Sequence, residues 1–391
     1  MNAEPEAFIF NPKHDSQQVL KILEALKQAS HDLQNNPDSN NTDGDKTFPC
    51  SPAIKALLEL EHESESILSN DPHLIKLSSH LTALKTVINN SCTARQRHNG
   101  FKSFLIRRVN SQQISRLAGS IESEIEAWIG REFVETLTQT LRQASETKDE
   151  VLIDLMEQFE TRISRGFDPE LQDSILRSKV FTELETILCG CKFSNNVREA
   201  SAFAITELIR FNKDVFVGQV LMGETVRALI SLSSVRSIQA LSILIKSIKS
   251  PIVDEIESNS EIANIINFLN SDDFSIQTMA MDCILEIGYY GRKEAIEAML
   301  KEDLVKKLVE LQRSETGGVL MDVRGENNSI QRHPFSSCVA RFAVQLEVGE
   351  GLRRREKRAL KQEVLMRVRE AHVCEAEAAT IIAEVLWGAS P

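Results

Sequence analysis

Alanine recurs at a fixed interval in the second half of this chain. Ala200, Ala240 and Ala280 stand forty residues apart, each inside an apolar segment of helical spacing. Four residues after each comes another apolar residue: Ala204, Leu244 and Ile284. A unit of about 40 residues cannot bury both its faces alone, so a period of this length implies stacked units rather than one closed core. The small alanine then marks where one helix of each unit comes close to its neighbour's backbone. The segments at 199–209, 239–248 and 279–288 each follow a shorter apolar helix, at 181–188, 226–232 and 262–269, with a polar turn between. A later copy at 335–346 puts Ala340 sixty residues after Ala280, and a Gly- and Asn-containing insertion at 316–329 takes up the excess. That insertion is expected to be a mobile loop. A final unit spans 357–371 and 375–387.

The first part of the chain has a different texture. Val19, Leu20, Leu23, Leu26 and Leu33 follow helical spacing, and 34–49 is an Asn-, Asp- and Pro-rich stretch expected to be a disordered loop. Ser51-Pro52 opens a helix predicted to run to about Leu68. Leu74, Leu77, Leu81, Leu84 and Ile88 share one face of the next, and a long pattern runs from Ile114 through Trp128 and Phe133 to Leu141. The expected organisation is an all-α chain in three parts. Residues 1–145 form an antiparallel helical bundle, 146–170 a linker helix, and 171–391 about five degenerate repeats. Trp128 is predicted to lie in the bundle core, and Trp387 to plug the last repeat.

Composition narrows the function. Aromatic residues make up 5% of the 391, so aliphatic side chains must carry the packing, which suits helix on helix. The net charge of −12 argues against nucleic acid as a partner. Seven cysteines at irregular spacing are not a disulfide framework, and Cys189-Gly-Cys191 lacks a second ligand pair. The start of the chain has no signal-peptide pattern, and no stretch reaches the roughly 18 apolar residues of a membrane span. A cytoplasmic or nuclear setting, or both, is expected. No nucleotide-binding, zincin or nucleophile-elbow motif occurs, and His62 between Glu61 and Glu63 reads as a solvated helix face. No catalytic residue, cofactor or metal site is therefore expected.

A short helix, a polar turn and a long Ala-containing helix at a period near forty resemble the armadillo repeat, over roughly residues 171–388. The resemblance implies a right-handed superhelix whose groove binds segments of other proteins. With the bundle in front, the domain order is similar to plant armadillo proteins of the U-box ligase type. The U-box itself is missing, since nothing between Leu141 and Leu171 supplies its CPI-type motif and Trp-containing helix. Importin-type armadillo proteins line the groove with Trp and Asn, and 200–209, 240–249, 280–288 and 339–348 contain neither.

The resulting expectation is a non-catalytic scaffold or adaptor. Its candidate partner contacts are Thr206, Glu207, Arg210, Lys246, Lys249 and Glu286, and the bundle is a candidate for self-association. One alternative, implied by the resemblance, is an accessory role in ubiquitination. Another, resting on the basic run Arg353–Lys361 and opposed by the missing Asn/Trp ladder, is a nuclear transport or regulatory adaptor. The basic run of Arg353, Arg354, Arg355, Lys357, Arg358 and Lys361 is a candidate nuclear signal or contact for an acidic partner, set against a solvated helix face.

Overall fold

The structure, a computed structural model, describes residues 14–35, 74–97, 101–317, 334–371 and 374–387. Every regular element among them is helical, with no strand. The expected helix at 52–68 lies outside the described residues, as does the loop at 35–49 apart from Asn35. Of the insertion at 316–329, only its first two residues are described, inside a helix that ends at Gly317. The chain divides into two compact units, Met1–Gln139 with Asp168–Ser178, and Thr140–Phe167 with Lys179–Pro391.

The first unit contains α1 (His14–Asn35), α2 (Ile75–Arg97) and most of α3 (Phe101–Arg142). One buried cluster joins all three. Leu23, Leu26 and Ala29 come from α1, Leu77, Leu81 and Leu84 from α2, and Ile114, Ala118, Ile121, Ile125 and Trp128 from α3. Spacings of three and four put each set on one face of its helix. Lys27 pairs with Glu126 at 2.8 Å and His31 with Glu122 at 3.4 Å. One number rises by four as the other falls by four, so α1 and α3 run antiparallel. After α4 (Asp149–Ile163), which belongs to the second unit, α5 (Pro169–Ser178) returns to the first, where Glu170 pairs with Arg131 at 3.1 Å.

The second unit is a stack of repeats. Its elements are α6 (Val180–Cys189) and α7 (Asn195–Phe211), then α8 (Lys213–Met222), α9 (Thr225–Leu232) and α10 (Val235–Ile248). Next come α11 (Ser250–Ser258), α12 (Ile262–Asn267, prolonged by a 3-10 turn) and α13 (Phe274–Tyr290). The series continues with α14 (Lys293–Lys301), α15 (Leu304–Gly317) and α16 (Cys338–Val348), and ends on α17 (Arg354–Ala371) and α18 (Glu375–Trp387). The third helix of each repeat packs on the third helix of the next, giving one row: α4, α7, α10, α13, α16, α18. First helices form a second row: α8, α11, α14, α17. This is an all-α solenoid of armadillo-like repeats. The helix expected as a linker is α4, and it heads the third-helix row by packing along α7.

The recurring alanines explain the row. Ala200 is 2% exposed and Ala240, Ala280 and Ala340 are 0% exposed, because their helices have neighbours on both sides. Around them the aliphatic side chains are sealed: α10 alone buries Ile238, Leu241, Leu244, Ile245 and Ile248. Each is worth about 2 kcal/mol on burial, far more than the few tenths by which Ile and Ser disfavour a helix.

The polar turns seen in the sequence start the third helices. Ser194 accepts from the Val197 N–H, Ser234 and Ser237 form a reciprocal capping box, and Asp273 accepts from the Ser275 N–H. Lys179, Ser260 and Asp303, just before second helices, take left-handed φ values of 57°, 61° and 55°. At the equivalent turn before α9, Gly223 lets the Glu185 carboxylate approach. A Cβ there would clash with Glu185 Oε1. That oxygen accepts from the Glu224 and Thr225 N–H groups at 3.0 and 3.1 Å and from the Thr225 hydroxyl at 2.7 Å. A carboxylate from one repeat thus caps a helix of the next.

One expectation is overturned at the end of the stack. Trp387 is 87% exposed and plugs nothing among the described residues, whereas Trp128 is buried as expected. The α18 face that packs inward consists of Ala378, Ile381 and Val385, and a spacing of two from Val385 turns Trp387 away from it.

Candidate partner-binding surface

The outward face of the third-helix row collects polar and aromatic side chains from five helices. Glu207 and Arg210 pair with each other on α7. Arg236 of α10 reaches back to Glu199 at 3.8 Å and stacks 4.9 Å from the Phe203 ring centroid. Lys246 of α10 pairs with Glu286 of α13 at 3.3 Å, and Asp282 of α13 with Arg341 of α16 at 3.9 Å. Each step along the row from α7 to α16 is therefore crossed by an ion pair.

Two of the six candidate contacts sit elsewhere than expected. Thr206 is fully buried and its hydroxyl donates to the Phe203 carbonyl, so it belongs to the packed side of α7 and offers a partner nothing. Its neighbour Glu207, one position on, turns outward because successive helical residues lie about 100° apart. Lys249 follows the end of α10 at φ 71°, a left-handed value unusual for a side-chain-bearing residue. It pairs with Glu350 at 3.0 Å and lies 5.6 Å from the Tyr290 ring. The hydrogen bond to Glu350 raises its pKa.

Glu160 is a residue the sequence did not single out. It lies on α4, its pKa is raised to about 7, chiefly by burial, then by the charges of Glu207 and Glu157, and Arg236 opposes the shift. Those influences place it among the α7 and α10 residues of the row. The signal was there: one further period back from Ala200 is position 160 (200 − 40), occupied by Glu instead of Ala. Phe203, Arg236 and Arg341 were likewise passed over, because their exposure depends on how the helices are rotated in the stack.

The basic run divides in two. Lys357 donates to the carbonyls of Glu347 and Gly349 at 2.9 and 2.7 Å, closing the C-terminal end of α16. Lys361 pairs with Glu347 at 2.7 Å and lowers that carboxyl's pKa. Arg353, Arg354, Arg355 and Arg358 are exposed and form no ion pair among the described residues.

No cluster of three His, Cys, Asp or Glu side chains that could hold a metal occurs among the described residues. Cys283 is buried and its thiol is pushed up to about 12 by burial, which keeps it a protonated packing group. No single described helix is long and apolar enough to cross a membrane; the bent pair α8 and α9 passes by length and composition alone.

No protein-family model matches the chain, and no curated protein sequence matches it. Among solved structures it is similar to a designed armadillo repeat protein, at 11% identity, 65% of this chain, 100% of the other and a TM-score of 0.41. A second designed armadillo repeat protein, in complex with peptide (KR)4, matches at 13% identity, 65% and 99% coverage and a TM-score of 0.43. The karyopherin Kap121p, bound to the extreme C-terminus of the protein phosphatase Cdc14p, matches at 14% identity, 96% of this chain, 37% of that one and a TM-score of 0.43. All three scores lie below 0.5, and the solenoid is defined by the helix packing described above.

Proposed function

We propose that this protein is a non-catalytic scaffold that binds an extended segment of a partner protein along its third-helix row. One observation carries the reading: an unbroken row of helices joined by ion pairs whose cationic side chains, on Arg210, Arg236, Lys246 and Arg341, stay exposed while most of their carboxylate partners are half-buried or buried. Such pairs are worth about 0–1 kcal/mol each. A partner's charges can replace them at little cost, and Phe203 under the Arg236 guanidinium offers a flat contact for an aromatic or arginine side chain. Glu160 and Glu207 at one end favour a basic residue there.

Panning a random-peptide library against the full chain tests this, with affinities measured by fluorescence polarisation. Enriched peptides are expected to bind at least tenfold more weakly to Arg236→Glu and Lys246→Glu variants. Peptides that bind both variants as well as the parent overturn the reading.

A further inference from the structure

A cleft of about 630 Å³ lies between α14 and α17, in the row of first helices. Its apolar lining is Leu300, Ala359 and Leu360, and its charged lining is four cations and three carboxylates. The carboxylates are all engaged. Glu297 pairs with Lys293 at 3.4 Å, Glu356 accepts from the Arg353 N–H at 2.8 Å, and Glu363 pairs with Arg367 at 2.9 Å. Of the cations, Lys301 and Arg355 have no ion pair among the described residues. Positive charge is thus left over in the cleft of a protein whose net charge is −12.

The adjoining rim adds to the surplus. Arg353 precedes α17, and Arg354 and Arg355 occupy its first turn, with Arg358 one turn on. A helix N-terminus carries positive partial charge and favours acidic residues, so arginines there work against the helix. None of the four gains an ion pair in return among the described residues. A local rule broken without a structural gain marks a functional position.

We propose that the α14–α17 cleft and its arginine rim dock an acidic segment of a partner protein, carboxylates against Arg354, Arg355, Arg358 and Lys301 and an apolar side chain against the exposed Ala359, above the buried Leu300 and Leu360. Charge complementarity selects this occupant. A nucleic-acid backbone, with a charge at every step, would meet the Glu297, Glu356 and Glu363 side of the cleft as well. A peptide places its carboxylates only where the cations are, and can carry the apolar side chain that a phosphate backbone lacks. The surface is separate from the third-helix row.

The test uses the full chain and a labelled twelve-residue peptide of Glu and Asp with one central Leu. Its controls are the Gln/Asn version and a twelve-nucleotide single-stranded DNA. The acidic peptide is expected to bind, to weaken with added salt, and to lose at least tenfold in affinity to the triple variant Arg354→Gln, Arg355→Gln, Arg358→Gln. The cleft-filling Ala359→Glu, at an exposed helical position, should cause a comparable loss. Arg236→Glu and Lys246→Glu should leave this binding unchanged while weakening row-bound peptides, so the two proposals fail separately. The inference is overturned if the acidic peptide does not bind, if the variants bind it as the parent does, or if the DNA binds more tightly and is lost in the same variants. Circular dichroism of each variant confirms that it is folded.

Discussion

Ala280 has no exposed surface and lies on α13 between α10 and α16. A larger side chain has nowhere to go without separating two helices. Ala280→Leu is expected to destabilise the protein by about 1–3 kcal/mol. Asp282, two positions away, makes only a 3.9 Å pair with Arg341, and both side chains are well exposed. Asp282→Ala should therefore cost less than about 0.5 kcal/mol. Neither substitution introduces a helix breaker, so paired thermal melts isolate the packing effect; an Ala280→Leu variant that melts like the parent contradicts the register. Glu160 makes a separate prediction. Its folded pKa of about 7 lies above the ordinary carboxyl value of 4.5, so between these two pH values the folded chain holds a proton that the unfolded chain has lost. Stability from this group is present below about 4.5 and declines as pH rises towards 7. Glu160→Gln keeps the neutral form at every pH. The gap in melting temperature between variant and parent should widen in the variant's favour from pH 4.5 to pH 8, and a constant gap would sink the assignment.

At the scale of elements, the clearest tie is the Glu185 carboxylate of α6 at the start of α9. Removing it leaves two backbone N–H groups and the buried Thr225 hydroxyl without that acceptor. Glu185→Ala is expected to cost about 1–2 kcal/mol by urea unfolding. Glu183→Ala on the same helix, which breaks the 2.9 Å pair with Arg142, should cost less than about 1 kcal/mol. Equal losses would show that the cap contributes no more than a surface pair. Elements of this kind were unevenly legible. The third helices and the polar turns before them stood out, since apolar period and turn composition are local, but which Ser or Asp caps each helix was shown only by the structure. The turns before second helices did not, because Lys179, Ser260 and Asp303 hold a conformation that glycine usually supplies. Nor was the division of the basic run visible, because Lys357 and Lys361 differ from their arginine neighbours only in what the end of α16 places beside them.

For the whole molecule, the described residues contain helices and no strand. The far-ultraviolet circular dichroism spectrum of the full chain should accordingly be dominated by α-helix, and a β-type spectrum would contradict the fold. The repeat was readable without coordinates because burial on both sides of a stacked helix imposes the same small and aliphatic residues at the same place in each unit. Ala200, Ala240, Ala280 and Ala340 determined the fold class and the helices of the inner row in that way. Exposure is not local, however. Thr206 and Glu207 are adjacent polar residues, and only the packing of α7 against α4, α6 and α10 buries the one and presents the other. Trp387, expected as a plug, faces outward because Val385 and not the indole lies on the packed face of α18. The period in the sequence therefore determined that the chain stacks helices, and the rotation of each helix against its neighbours, which no single segment encodes, decided which charges a partner can reach.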